Sequence, residues 1–181
     1  MLTKNAFVAI IVDRFVTPLR TYLTLLFLVT LWCAALLAAP LLQSWGSPAG
    51  GFFYEAFSKI CHQMDQRSFH FAGFKLAVCA RCSAIYFGFL LTLLGLSLFG
   101  PVEKLRIPRL LWLGCAVLPM CLDVFLNDSG ILFSTLTTRA VTGLIFGASL
   151  PFYIAPTLLE AVAQIHRSSL NFGGFHADKT E

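Results

Sequence analysis

YLTLLFLVTLWCAALLAAPLL, residues 22–42, carries no charged side chain from end to end. At about 1.5 Å of rise per residue, a helix of this length crosses a hydrocarbon core of about 30 Å. A cleaved leader with a small-residue site near Ala38-Ala39 is the competing reading. The run exceeds the roughly 7–15 apolar residues of a leader, so a retained span is expected. Three more stretches read the same way: Ser83 to Phe99, Leu110 to Leu126 and Ala140 to Leu159. The expected fold is therefore all-α, an integral membrane bundle of four transmembrane helices with interfacial amphipathic helices beside it.

Composition agrees. The 181 residues are 57% hydrophobic and 12% charged, with a mean hydropathy of +0.78. A soluble domain usually carries about 25% charged residues, so lipid and not water is the solvent for most of this chain. The net charge of +4 fits basic residues that flank spans as anchors. It does not point to nucleic acid.

Around the spans, residues 1–20 mix apolar side chains with Lys4, Asp13, Arg14 and Arg20 and read as an interfacial segment broken at Pro18. Residues 21–165 form the membrane domain, with a Cys/His loop at 43–82. In that loop Phe53, Ala56, Phe57, Ile60 and Met64 recur at helical spacing, as in a short helix lying on the bilayer. Gly143 and Gly147 in the fourth span are a small-xxx-small pair suited to close helix packing, and Pro151 and Pro156 are expected to kink it. Residues 166–181 read as a polar tail, with disorder beginning after Glu160.

Four spans put the N-terminus, the 100–109 loop and the C-terminus on one side with eight Lys and Arg. The other side has five: Lys59, Arg67, Lys75, Arg81 and Arg139. The excess assigns both termini to the cytoplasm, in what reads as a bacterial cytoplasmic membrane. The same count of spans brings Cys61, Cys79, Cys82, Asp123 and Arg139 to one level at the outer face, whichever way the bundle points.

Chemistry is expected at that level. Cys79-Ala80-Arg81-Cys82 is a C-x-x-C, and residues three apart share a helix face. Alone it is ambiguous between metal ligation, thiol redox and a structural disulfide. Cys61 and His62 upstream complete a Cys₃His set, a common zinc shell. Adjacent residues point about 100° apart on a helix and oppositely on a strand, so Cys61 and His62 share a metal only from irregular backbone. Asp123 is then a candidate to complete the shell. An acid in the apolar sequence MCLDVFL is costly unless it has a partner or a task. It reads either as a lock on Arg139 or Arg81, or as a ligand, base or proton relay. Arg67, Arg81 and Arg139 suit a carboxylate or phosphate, and Gln63 and Ser68 offer hydrogen bonds to an anionic lipid head group or a quinone-like ring.

These residues resemble the signature of a bacterial and archaeal family of small predicted membrane proteins of unknown function. The resemblance rests on Cys61-His62-Gln63, Arg67-Ser68-Phe69, Gly73, Val78-Cys79-Ala80-Arg81-Cys82, Tyr86 and Gly88. Downstream it continues with Pro119 to Asp123 and with Arg139-Ala140-Val141-Thr142-Gly143 and Gly147, covering about residues 55–150. Two positions depart from it: Ala84 and Val124 stand where the pattern has glycine. The resemblance implies that the Cys/His/Arg/Asp set acts as a unit, and it supplies no activity.

The expected function is a multi-pass protein with a zinc or iron site on Cys61, His62, Cys79 and Cys82. As an enzyme it would use a metal-bound water, Asp123 as base, and Arg67, Arg81 and Arg139 against an anionic lipid-like substrate. A quinone-linked thiol/disulfide oxidoreductase is the alternative, although a second cysteine pair is missing. A metal-handling or structural subunit without catalysis is the third.

Overall fold

The computed structural model describes residues 17–99 and 107–177. The expected interfacial segment lies, up to Val16, outside those residues. Helix α1 (Thr17–Ser44) is the long apolar run. Helix α2 (Ala49–Ser58) follows, then a 3-10 turn (Asp65–Arg67) and a hairpin of β1 (His70–Phe71) and β2 (Phe74–Lys75). Helices α3 (Ala80–Phe99), α4 (Leu110–Asp128), α5 (Leu136–Ser149) and α6 (Pro151–Ala177) complete the chain. Among the described residues the fold is all-α apart from that hairpin, and four segments are long and apolar enough to cross a membrane: Pro18–Ser44, Ala80–Leu98, Leu110–Asp128 and Leu136–His166.

The boundaries differ from the sequence reading in instructive ways. Helix α2 stops at Ser58, so Ile60 and Met64 lie beyond it and are exposed. The second span starts three residues early, which places Arg81 and Cys82 in the first turn of α3. The fourth span is broken at Leu150: Pro151 has no N–H to donate, and its ring crowds the carbonyl four residues back. Pro156 lies within α6. Helix α6 continues to Ala177, through the stretch read as a polar tail. The 31 residues from Leu136 to His166 would extend about 45 Å, well past a hydrocarbon core of about 30 Å, so one end projects from it.

Hydrophobicity does little to hold helices together in lipid; close packing and polar contacts do more. The most extensive pair is α3 against α5, and glycine explains it. A Cβ on Gly143 would lie 2.5 Å from the Arg81 carbonyl oxygen, and one on Gly147 would overlap the backbone of Ile85. From the other helix, a Cβ on Gly88 would sit 2.9 Å from the Leu144 carbonyl oxygen. The two backbones touch directly, and any side chain at these points would force them apart. Ala84, where the family pattern has glycine, packs at this crossing, its Cβ 3.3 Å from the position a Gly143 Cβ would take.

Helix α1 packs on α3 and α6. At one end Tyr22 is buried with Leu93, Ala155 and Leu159, and its hydroxyl donates to the Leu93 carbonyl. At the other end Leu36 and Ala39 are buried with Phe57, Cys61, Ala77 and Val78. Helix α4 has no buried residue and rests mainly on α5; Leu111, Trp112, Leu118, Leu122 and Phe125 are exposed to lipid.

Gly147→Val should lower stability by about 1–3 kcal/mol, the range for overpacking. Gly114→Ala, at a position with nothing within 4 Å, should stay within about 0.5 kcal/mol. Thermal unfolding of the two variants in one detergent checks the contrast.

Candidate metal centre

The thiol cluster is built by a return of the chain. Helix α2 leans on α1 through Phe57, whose ring meets Trp32 edge-on at 5.1 Å and 80°. The Cys61 N–H donates to the Phe57 carbonyl at 3.0 Å, which turns the chain inward and buries Cys61. Beyond it the loop is latched. Gln63 adopts φ +50°, unusual for a residue with a Cβ. Its amide donates to the Tyr54 carbonyl at 2.6 Å, its carbonyl accepts from Lys75 Nζ at 2.8 Å, and the Tyr54 hydroxyl donates to the Lys75 carbonyl. The hairpin turns at Ala72 and Gly73, both with positive φ, the pattern of a type I′ turn. Leu76, Ala77 and Val78 then run through the interior and deliver Cys79 to the start of α3.

There the three sulfurs meet. The Sγ atoms of Cys61, Cys79 and Cys82 all lie within 4.8 Å of one another, and none is in a disulfide. The Cys79 N–H donates to Cys61 Sγ at 3.2 Å. Ser83 bonds the Cys79 carbonyl through its N–H at 2.9 Å and its hydroxyl at 3.1 Å, which fixes the first turn. Tetrahedral ligands at a Zn–S distance of about 2.3 Å are about 3.8 Å apart, so the set needs only a small contraction to hold zinc. The Cys61 thiol is drawn well below its ordinary pKa, chiefly by the Cys79 thiol that hydrogen-bonds to it and then by that of Cys82. Burial works in the opposite direction.

The other candidate residues fall around this cluster. His62 is exposed and stands outside the group of converging donors, although the backbone at 61–64 is irregular. Asp123 does not join the sulfurs either. One carboxylate oxygen pairs with Arg81 Nη2 and the other accepts from the Ser134 hydroxyl at 2.8 Å. Arg139 is buried and donates to Asn127 Oδ1 at 3.1 Å and to the Ser134 carbonyl at 3.5 Å. It lies within electrostatic reach of Arg67, Arg81, Asp123 and Cys79, so the cluster and the arginines share one level. Arg67 is exposed in the 3-10 turn. Ser68 is buried and bonds the Met64 carbonyl at 2.9 Å. Gln63, besides its latch, lines a cleft of about 480 Å³ with Gln43, Asp65, His70 and Lys75; His70 and Asp65 are 3.2 Å apart.

Asn127 and Ser134 are the residues the sequence reading missed. Asn127 stands four residues after Asp123, on the same helical face, which is the signal that could have found it. Ser134 sits in a connecting turn and offers no comparable pattern.

Four apolar spans with three cysteines converging at one end define a multi-pass membrane protein with a thiol cluster. The chain belongs to the family described as "Predicted membrane protein (DUF2085)", whose model matches residues 61–153, about half of the chain and the stretch that begins at Cys61. It is also similar to an uncharacterized protein of Methanocaldococcus jannaschii, 38% identical over 109 residues, which is 60% of this chain and 70% of that one. No solved structure matches.

Removing the carboxylate charge should strand Arg81. Asp123→Asn should cost about 1–3 kcal/mol, and Arg81→Met with Asp123→Leu should recover most of it, because a partly buried charge without its partner is worse than an apolar pair. Unfolding of Arg81→Met, Asp123→Leu and the double variant measures the coupling.

Proposed function

We propose that this chain is a membrane metalloprotein in which Cys61, Cys79 and Cys82 hold one zinc or iron ion as thiolates. The observation that carries this reading is the convergence of three free sulfurs within 4.8 Å. The Cys79 amide aimed at Cys61 Sγ supports it, since hydrogen bonds to ligand atoms hold them in place and tune the metal. Charge supports it too. Arg81 and Arg139 face a single carboxylate, Asp123, which leaves one positive charge uncompensated at the edge of the bilayer, where such charge is expensive. A divalent ion with three thiolates carries one negative charge and makes the set neutral.

Three protein ligands leave a fourth position for water or substrate, the arrangement of catalytic zinc sites. There the ion would lower the pKa of a bound water and supply the nucleophile. Asp123, occupied by Arg81 and Ser134, serves better as the counter-charge than as the base. The substrate class that suits Arg67 and the basic level around it is an anionic lipid-like molecule. The excess of basic residues on the other side of the bundle supports a cytoplasmic-membrane location with both termini in the cytoplasm. Thiol redox chemistry with a quinone is the second reading, favoured by the closeness of the Cys79 and Cys82 sulfurs.

Metal analysis of the detergent-purified protein separates the readings. One zinc or iron per chain is expected, with thiols that resist alkylation until a chelator is added, and Cys82→Ser should be purified essentially metal-free. A metal-free wild type whose Cys79–Cys82 disulfide is formed by added quinone would replace this reading with the redox one. Tightly held metal with no exchangeable position would make the protein a metal-handling or structural subunit.

A further inference from the structure

Three guanidiniums gather where the Cys/His loop meets the first turns of α3 and α5. Gly143, one turn after Arg139, lies against the Arg81 carbonyl, so the helix crossing brings Arg81 and Arg139 to neighbouring turns. Arg67 comes from the 3-10 turn of the loop. Of the charges that act on Arg139, Arg67 acts most strongly and Arg81 next, both ahead of Asp123. Arg139 is only 6% exposed. Repulsion from its own kind thus outweighs the attraction it receives from the carboxylate, in a setting where water screens little.

The acids nearby are already engaged. Asp123 gives one oxygen to Arg81 and the other to Ser134, and Asp65, two residues before Arg67, pairs with His70. Neither α3 nor α5 has an acid in its first turn, so the positive ends of two helix dipoles add to the same field. Donors are left over as well. Arg81 Nε is buried with no partner. Among the described residues, Nη1 of Arg81, Nη1 of Arg139 and the whole Arg67 guanidinium make no hydrogen bond.

We infer that Arg67, Arg81 and Arg139 form an anion site that takes a phosphate group, whose oxygens accept from the unbonded guanidinium donors. The inference rests on the reading of the basic level given above and deepens it, and it does not require a bound metal. Three forks from three chain segments need acceptors that point out of one plane. A carboxylate offers two oxygens in a plane, whereas a phosphate sets its oxygens at tetrahedral corners. Charge agrees. Three cations against Asp123 leave two positive charges, and a divalent ion on three thiolates would offset one of them, so at least one remains for the anion. A lipid head group and free phosphate share this chemistry.

Two titrations of the full-length protein in non-ionic detergent test the site and separate its sources. Inorganic phosphate is titrated by calorimetry, and bound phosphatidylglycerol is counted against phosphatidylcholine by native mass spectrometry. One saturable phosphate group per chain is expected. Arg67→Gln, at an exposed position, should weaken it about tenfold, the loss of one charge-assisted pair. Arg139→Lys, which keeps the charge and loses the fork, should weaken it too. Lys59→Gln, which removes another exposed charge of the same loop, should not. Binding of inorganic phosphate with this sensitivity assigns the site to free phosphate. Retention of phosphatidylglycerol over phosphatidylcholine with the same sensitivity, and no response to inorganic phosphate, assigns it to a lipid head group. Binding of neither, binding untouched by Arg67→Gln, or binding weakened equally by Lys59→Gln overturns the inference. Anion binding by a protein that holds no metal leaves the inference standing and removes the metal reading. One metal per chain with no anion bound does the reverse.

Discussion

The architecture depends on the direct approach of two backbones. Gly143 and Gly147 lie against the carbonyls of Arg81 and Ile85, with Gly88 reciprocating toward Leu144. This approach sets the register of α3 on α5, and with it the height of every functional side chain. Arg81 and Cys82 are carried by the turn that Gly143 touches, while Arg139 stands one turn from Gly143 on the partner helix. Contacts of this kind gain dispersion and weak Cα–H···O bonds, which count for more in lipid because no hydrophobic term separates bound from unbound helices. A separation of even 1 Å at the crossing would carry Arg81 away from Asp123, which α4 holds against α5, and change the charge environment of the thiols.

The loop over the site is rigid for a different reason. It lies outside the hydrocarbon and holds its shape by polar latches, among them Gln63 to Tyr54, Lys75 to Gln63 and Tyr54 to Lys75. The latches accommodate the left-handed Gln63 and deliver Cys61 from one direction and Cys79 from the other. A flexible loop would hold three sulfurs close only at a large entropic cost; here that cost is met by bonds remote from the sulfurs themselves.

Much of the fold was legible because lipid imposes a simple rule: spans are uncharged and long enough. The runs at 22–42 and 110–126 follow it, and the helices appear there. The rule is silent at the ends of spans. Helix α3 begins at Ala80 because Ser83 bonds back to the Cys79 carbonyl, in a stretch whose polar residues read as loop. Helix α5 begins at Leu136 because Thr135 accepts the Thr138 N–H at 3.2 Å, a cap recognisable from its residue type. At the site, the topology of four spans was enough to bring Arg81, Asp123 and Arg139 to one level. It could not say that Asp123 turns to Arg81 and Ser134, or that Arg139 takes Asn127, because partner choice depends on helix rotation. The outward placement of His62 follows from the local backbone beside Gln63, which residue types do not reveal.

The pairing of Arg81 with Asp123 spans 42 residues of sequence, and a membrane chain is inserted in order. At a synthesis rate of roughly 5–20 residues per second, Arg81 reaches the bilayer several seconds before its counter-charge exists. Until α4 is made, α3 carries that guanidinium at its edge without the carboxylate it pairs with in the finished bundle. Helix α4, with no buried residue of its own, is held to the rest mainly by α5 and by this one ion pair to α3.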